Sequence, residues 1–320
     1  MKKVVSGIGA GILLLSLVCS CSKAAVKKNY ILATGGTSGT YYPFGGAVAN
    51  IWNTKIQNMN VTAQATGASA ENLRLISKGE AEFAIVQNDV MDYAYNGTDM
   101  FAGQKLSGIM TIGTLYPEVV QIAASKASGI KTVADMKGKR ISIGDAGSGV
   151  EFNAKQILEG YGLTFNDIQK NNLSFKESAE GIQNGTLDAC FITAGVPNSA
   201  LQELAFTSGL VLVPVDGETA DKICAAHSFY TKTTIPGGTY KGTDTDTSAL
   251  AIRATLAVSE KLDENTVYEM TKVLFSNLAE LGTAHAKGKE VSAAAAVTGV
   301  SVPFHPGALK YYKEVGLPVQ

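Results

Sequence analysis

Arginine is scarce in this chain: Arg74, Arg140 and Arg253 are the three in 320 residues, and no two are neighbours. With Lys+Arg 27 against Asp+Glu 28, no basic patch exists to neutralise a phosphate backbone, which excludes nucleic acid as a partner. Histidine is equally rare. His227, His285 and His305 stand alone, with no HExxH or CxxC spacing, so neither a metal nor a cofactor is expected. The GxSxG elbow and GxxxxGK[ST] are missing, and Gly144, Gly147 and Gly149 do not form GxGxxG, which removes the usual serine-hydrolase and nucleotide signatures. Beyond the first twenty residues no apolar run approaches the roughly 20 residues that a membrane-spanning helix needs.

What is present begins with Lys2-Lys3 and an apolar run over residues 4–18 broken only by Ser and Gly, the pattern of an export signal rather than a fold element. It ends in Val18-Cys19-Ser20-Cys21, which resembles a bacterial lipobox with Cys21 as the lipidated residue, because a small residue precedes Cys21 whereas Val18 precedes Cys19. Residues 1–20 are therefore expected to be a lipoprotein signal peptide and 21–28 a tether. The alternative is a plain cleaved signal with two incidental cysteines. Losing Lys2 and Lys3 and no acids leaves 25 basic and 28 acidic residues, net −3. The other two cysteines, Cys190 and Cys224, read as free thiols, since Cys190 sits in the apolar run Ala189-Cys190-Phe191-Ile192.

An internal repeat organises the rest. A buried strand over residues 29–34 runs into Gly35-Gly36-Thr37-Ser38-Gly39 and then a helix over 42–52; a strand over 140–144 runs into Asp145-Ala146-Gly147-Ser148-Gly149 and a helix carrying Phe152, Ile157 and Leu158. Ser69-Ala70-Glu71 and Ser178-Ala179-Glu180 then each introduce a helix, with the serines placed to cap it, followed by the strands 83–86 and 189–192. Three landmarks in one order at nearly one spacing predict two related β-α-β-α-β lobes. A single open α/β sheet with similar turns is the alternative. The strand-like 118–124 is the crossing between lobes, 250–256 the return, and 265–281 a long amphipathic helix; the Gly/Thr/Asp-rich residues 236–247 form the loop before re-entry. Lobe 1 is expected to comprise 29–124 plus 246–320, and lobe 2 to comprise 125–245.

Each glycine loop delivers a strand end to a helix N-terminus, where unpaired N–H groups and partial positive charge favour an anion. Residues 35–43, 87–89, 145–153 and 193–198 contain no Lys or Arg, which argues against a phosphate held by ion pairs, while Asp89, Asp145 and Glu151 leave room for an ammonium group. An amino acid or small carboxylate suits these loops. One enzyme reading competes: residues 31–37 resemble the nucleophile-threonine segment of bacterial L-asparaginases, and Gly242-Thr243-Asp244-Thr245 resembles their second threonine motif. In those enzymes the second motif lies a third of the way along the chain, here about three quarters, and residues 38–43 depart from their pattern. An amidohydrolase is kept as the minority alternative.

The segment Thr34-Gly35-Gly36-Thr37-Ser38-Gly39-Thr40-Tyr41-Tyr42-Pro43-Phe44-Gly45 resembles the opening signature of the TAXI family, the extracytoplasmic solute receptors of one branch of TRAP transporters. Further similarity lies in Thr66-Gly67-Ala68-Ser69 with Asn72, in Gly147-Ser148-Gly149, in Asp188-Ala189, in Tyr268-Glu269, and in Phe304-His305-Pro306-Gly307-Ala308 with Tyr311-Tyr312. The resemblance implies an α/β, two-lobed periplasmic-binding-protein fold (type II-like) with the ligand cleft between lobes, capture without catalysis, and delivery to TRAP-type permease subunits driven by an ion gradient. Family ligands include glutamate, glutamine and small dicarboxylates. Carried over by position, the ligand-binding residues are Thr37, Ser38, Gly39, Tyr41, Gln87, Ser148, Gly149 and Thr193. An ABC-type or signalling receptor of the same fold is the runner-up.

Overall fold

The structure, a computed structural model, describes Met1 and residues 27–319; the expected signal peptide, Cys21 and most of the tether lie outside the described residues. The first β-α-β-α-β unit runs β1 (Lys28–Ala33), α1 (Tyr41–Lys55), β2 (Met59–Gln64), α2 (Ser69–Lys78) and β3 (Phe83–Gln87). It is followed by α3 (Asn88–Asn96) and the 16-residue β4 (Ile109–Ala124). The second unit runs β5 (Arg140–Ser142), α4 (Gly149–Gly160), β6 (Gln169–Asn171), α5 (Phe175–Gln183) and β7 (Ala189–Ala194). Then come α6 (Ser199–Thr207), β8 (Val211–Leu212), α7 (Gly217–Ala226), β9 (Thr231–Ile235) and the 13-residue β10 (Thr247–Ser259). Helices α8 (Glu264–Ser276), α9 (Leu278–Ala284), α10 (Ala293–Ala296) and α11 (Pro306–Glu314) complete the chain.

Both units have the same topology. In the first, β1 lies between parallel β2 and β3; in the second, β5 lies between parallel β6 and β7. The long strands β4 and β10 pair antiparallel with each other and, respectively, with β7 and β3, joining both triplets in one mixed sheet. This is what the repeat in the sequence predicts, with the crossing strands extended well beyond 118–124 and 250–256.

The cores explain the halves. Helix α1 buries Phe44, Val48, Ile51 and Trp52 against β1, β3 and α8, each burial worth about 1.5–3 kcal/mol. The Trp52 indole N–H also finds a partner, the Met270 carbonyl at 2.8 Å. Strand β3 is buried at all five positions, as expected of a strand covered on both faces. Along β4, Ile112, Leu115 and Tyr116 belong to the first half's core, whereas Val119, Val120 and Ile122 belong to the second's. Along β10 the change falls between Ile252 and Ala254.

Three local expectations are corrected. Ser69 is the first residue of α2, after Ala68 at the cap position, and its Oγ accepts the Gln87 N–H at 3.0 Å instead. Ser178 sits inside α5, hydrogen-bonded to Ser142 at 2.7 Å; the cap is Ser174, which forms a capping box with Glu177. The expected single helix over 265–281 is two, interrupted at Asn277, whose side chain donates to the Val273 carbonyl at 2.7 Å. Cys190 and Cys224 are unbonded thiols, the former buried, with its pKa pushed up to about 12 by desolvation.

Candidate functional site

The loops after β1 and β5 open into a cleft between the halves, offering about 40 Å³ to the centres of water-sized atoms, room for roughly three waters. Seven of the eight expected residues line it: Ser38, Gly39, Tyr41 and Gln87 from the first half, and Ser148, Gly149 and Thr193 from the second. Thr37 does not. The Gly39 N–H bonds the Gly36 carbonyl at 2.9 Å, closing a turn that leaves Thr37 exposed at its corner. Its neighbour Thr40 lines the cleft instead.

Helices α1, α2 and α4 all begin on this cleft, through Tyr41, Ser69 and Gly149. Their first turns carry N–H groups with no intrahelical partner, and the three macrodipoles point positive ends inward. Ser148 caps α4, its Oγ accepting the Glu151 N–H at 3.3 Å, which leaves the hydroxyl proton free to donate into the cleft. Ala68, just before α2, holds φ at 70°, a conformation that costs of order 1–3 kcal/mol in a residue with a Cβ and recurs at binding sites.

Negative groups sit among these positive ends. Glu118, at the middle of β4, is 1% exposed and accepts the Tyr41 hydroxyl proton at 2.5 Å. Burial pushes its pKa up to about 8, the Asp89 charge adds to this, and the Tyr41 bond and Lys287 oppose it. Asp145, also on the wall, is raised by burial too. No Lys or Arg lines the cleft. The Gln87 Oε1 is buried without a hydrogen-bond partner. The Thr193 hydroxyl donates to Asn153 Oδ1 at 2.8 Å, so toward the cleft it can only accept. Carboxylate-seeking donors and ammonium-seeking acceptors thus face one small space.

The two halves are tied together around it. Gly195 N–H donates to Thr40 Oγ1 at 3.0 Å, Asn198 and Ser199 side chains donate to the Ser38 carbonyl, and the Ala70 N–H bonds the Gly147 carbonyl at 3.2 Å. Deeper in, Asn153 donates to Asp89 at 3.1 Å and to Tyr230 at 2.8 Å, while Gln156 donates to Tyr93 and Asp99. Asp89 is fully buried and pushed up to about 7 by desolvation. It serves this interhalf network and does not line the cleft, whereas Glu151, also expected to attract an ammonium, accepts the Gly147 N–H at 2.8 Å. A Cβ on Gly149 would stand 2.2 Å from the Gln87 amide, so glycine here is what lets the halves approach this closely.

Glu118, Ser69 and Phe175 line the cleft as well, beyond the residues expected from sequence. A carboxylate inside the otherwise apolar run Pro117-Glu118-Val119-Val120 was the available signal, because an uncompensated charge buried in a strand is costly. Among the described residues no group of His, Cys, Asp and Glu could hold a metal ion, and no helix is long and apolar enough to cross a membrane.

Comparison with known proteins agrees with this architecture. The family described as NMT1-like matches residues 32–316. The alkanesulfonate-binding protein SsuA from Xanthomonas axonopodis pv. citri is similar at 15% identity and TM-score 0.52, covering 92% of this chain and 82% of its own. An ABC uptake transporter substrate-binding protein from Streptococcus pneumoniae, with bound histidine, is similar at 14% and 0.52, covering 83% and 94%. A binding protein of an ABC phosphonate transporter from Pseudomonas aeruginosa gives 14% and 0.51, covering 83% and 80%. The fold is that of the two-lobed periplasmic solute-binding proteins.

Proposed function

We propose that this chain, which belongs to the NMT1-like family, is an extracytoplasmic solute receptor whose lobes close on a small zwitterion of the amino-acid class. The observation that carries the reading is the pairing of three helix N-termini with the buried Glu118 carboxyl in one cleft without Lys or Arg. The ligand carboxylate meets the N–H groups of α1, α2 and α4 and the Ser148 hydroxyl; the ligand ammonium meets Glu118, with the Thr193 oxygen beside it. Gln87 supplies an amide to a polar side chain such as that of glutamate or glutamine. A dicarboxylate suits the site less well, because it brings no ammonium to hold Glu118 ionised and its second carboxylate meets no Lys or Arg.

The cores switch at Pro117-Glu118 on β4 and at Arg253 on β10, and this supports a hinge at these two strand centres. Delivery to a TRAP-type permease rests on the TAXI-like segments named above. The ABC-type reading is the second, favoured by the solved structures of that class that share the fold. Lipid anchoring through Cys21 to the outer face of the cell membrane completes the proposal. Binding occurs without turnover, since no nucleophile in the cleft has an evident base and orienting partner. Mass spectrometry of small molecules that co-purify, followed by incubation with glutamine and asparagine, tests this. A co-purifying zwitterion and no ammonia release are expected; steady ammonia release that Thr37→Ala eliminates would restore the amidohydrolase reading.

A further inference from the structure

The three arginines of the chain have different fates. Arg140 makes a two-pronged ion pair with Asp188, at 2.7 and 3.1 Å. Arg74 lies over the Phe101 ring, 5.0 Å from its centroid. Arg253 has neither partner. Its Nε–H donates to Thr114 Oγ1 at 3.1 Å, and Thr114 is itself fixed by its one hydroxyl proton, which lies within reach of the Ala295 and Thr298 carbonyls. Among the described residues no carboxylate comes within 4.0 Å of this guanidinium, and its two terminal nitrogens have no hydrogen-bond partner. Arg253 is nonetheless half-buried, which lowers its pKa through desolvation.

Arg253 lines a groove of about 580 Å³ on the other side of the β4–β10 strand pair from the ligand cleft. Pro117 and Glu118 are successive residues of β4, and successive strand side chains point to opposite faces. Glu118 lines the cleft and Pro117 lines this groove. Pro117 pairs with Arg253 but has no N–H to offer, and the Arg253 N–H turns to Asn88 Oδ1 at 3.1 Å. The apolar wall comes from both lobes, Phe229 from the second and Val300 from the first, with Ile252 between.

We infer that this groove behind the hinge is a second ligand site, and that it takes a small carboxylate with an apolar body, its oxygens on the terminal nitrogens of Arg253 and its body against Phe229 and Val300. A planar fork held at one N–H and open at the other two matches a carboxylate's two oxygens. Asp92 is the one carboxylate lining the groove, and its charge disfavours a dianion. The concave form and size fit a small molecule rather than a protein surface. Because both lobes contribute walls, occupancy depends on their relative position; that consequence rests on the proposed closing of the lobes, whereas the site itself does not.

Calorimetric titration with benzoate tests the site. Saturable binding with a Kd on the order of 1 mM or tighter is expected. Arg253→Gln, which keeps a donor but no charge, should weaken it about tenfold to a hundredfold. Ser228→Trp, at an exposed position on the groove wall, should block it without disturbing the core, and decides the matter if Arg253→Gln does not fold. Gln87→Ala, in the other cleft, should leave benzoate binding unchanged. Absence of saturable binding to the parent protein, binding unaffected by Arg253→Gln or by Ser228→Trp, or binding lost in Gln87→Ala would each overturn the inference; the last would place benzoate in the front cleft.

Discussion

Replacing Glu118 by glutamine isolates the charge proposed to select the ligand. The amide keeps the volume and can still accept the Tyr41 hydroxyl proton, but it cannot ionise. Burial moves the Glu118 pKa from 4.5 to about 8, so ionising it in the empty cleft is disfavoured by roughly 5 kcal/mol relative to water. At pH 7 the carboxyl is therefore mostly protonated, and ionising it there costs only about 1 kcal/mol. A charge-assisted hydrogen bond to a ligand ammonium returns about 1.5–3 kcal/mol, enough to win. Binding at pH 7 should then release roughly half to most of one proton, and affinity should rise as pH increases from about 6 to about 8. Calorimetry with L-glutamate and L-glutamine in buffers of different ionisation enthalpy measures both quantities. Glu118→Gln should abolish this proton release and weaken binding about tenfold or more at pH 7.5. In the absence of ligand the sign is reversed for stability. A raised carboxyl stabilises the fold below its unfolded value near 4.5, and that contribution disappears as pH rises through about 8, so Glu118→Gln should melt higher than the parent at alkaline pH. Unchanged affinity together with unchanged proton release would refute the assignment of the ammonium to Glu118.

Two further outcomes are expected. Gly149→Ala places a methyl group 2.2 Å from the Gln87 amide, so the amide must swing into the cleft or the lobes must part; binding of the co-purified ligand should weaken at least tenfold while the melting temperature changes little, and unaltered binding would show that the close approach is unimportant. Metabolic labelling with a fatty acid should mark the full chain and fail to mark Cys21→Ala; label retained in that variant would move the anchor elsewhere.

The fold was legible because its signals are local and occur twice. Apolar strands ending in Gly35-Gly36 and Gly144, each followed by an amphipathic helix, predict the paired units from spacing alone, and the sheet repeats the same order in both. Helix starts were less legible. The serine before Ala-Glu reads as a cap at two places, yet Ser69 follows the cap position and Ser178 is interior; the capping box Ser174-Phe175-Lys176-Glu177 is the better signal. The helix break at Asn277 depends on a side-chain bond to Val273, which periodicity does not register. At the site, the loop glycines and hydroxyls were visible from their placement at strand ends. Glu118 stands out locally as a carboxylate in an apolar run, but its place in the cleft does not, because its neighbours in space, Tyr41 and Gln87, come from strand–helix junctions 77 and 31 residues away. Thr37 and Ser38 look alike in sequence, and only the turn closed by Gly36 and Gly39 sends one to solvent and the other to the cleft.

The proposed receptor stands or falls on recognition of both charges of a zwitterion in the cleft. It is tested most directly by titrating the purified chain, in one buffer at pH 7.5, with L-glutamate, L-glutamine, succinate and putrescine. One-to-one binding of at least one of the two amino acids is expected, with succinate, which lacks the ammonium, and putrescine, which lacks the carboxylate, each at least about tenfold weaker. Succinate or putrescine binding as tightly as the better amino acid, or none of the four binding, would contradict it.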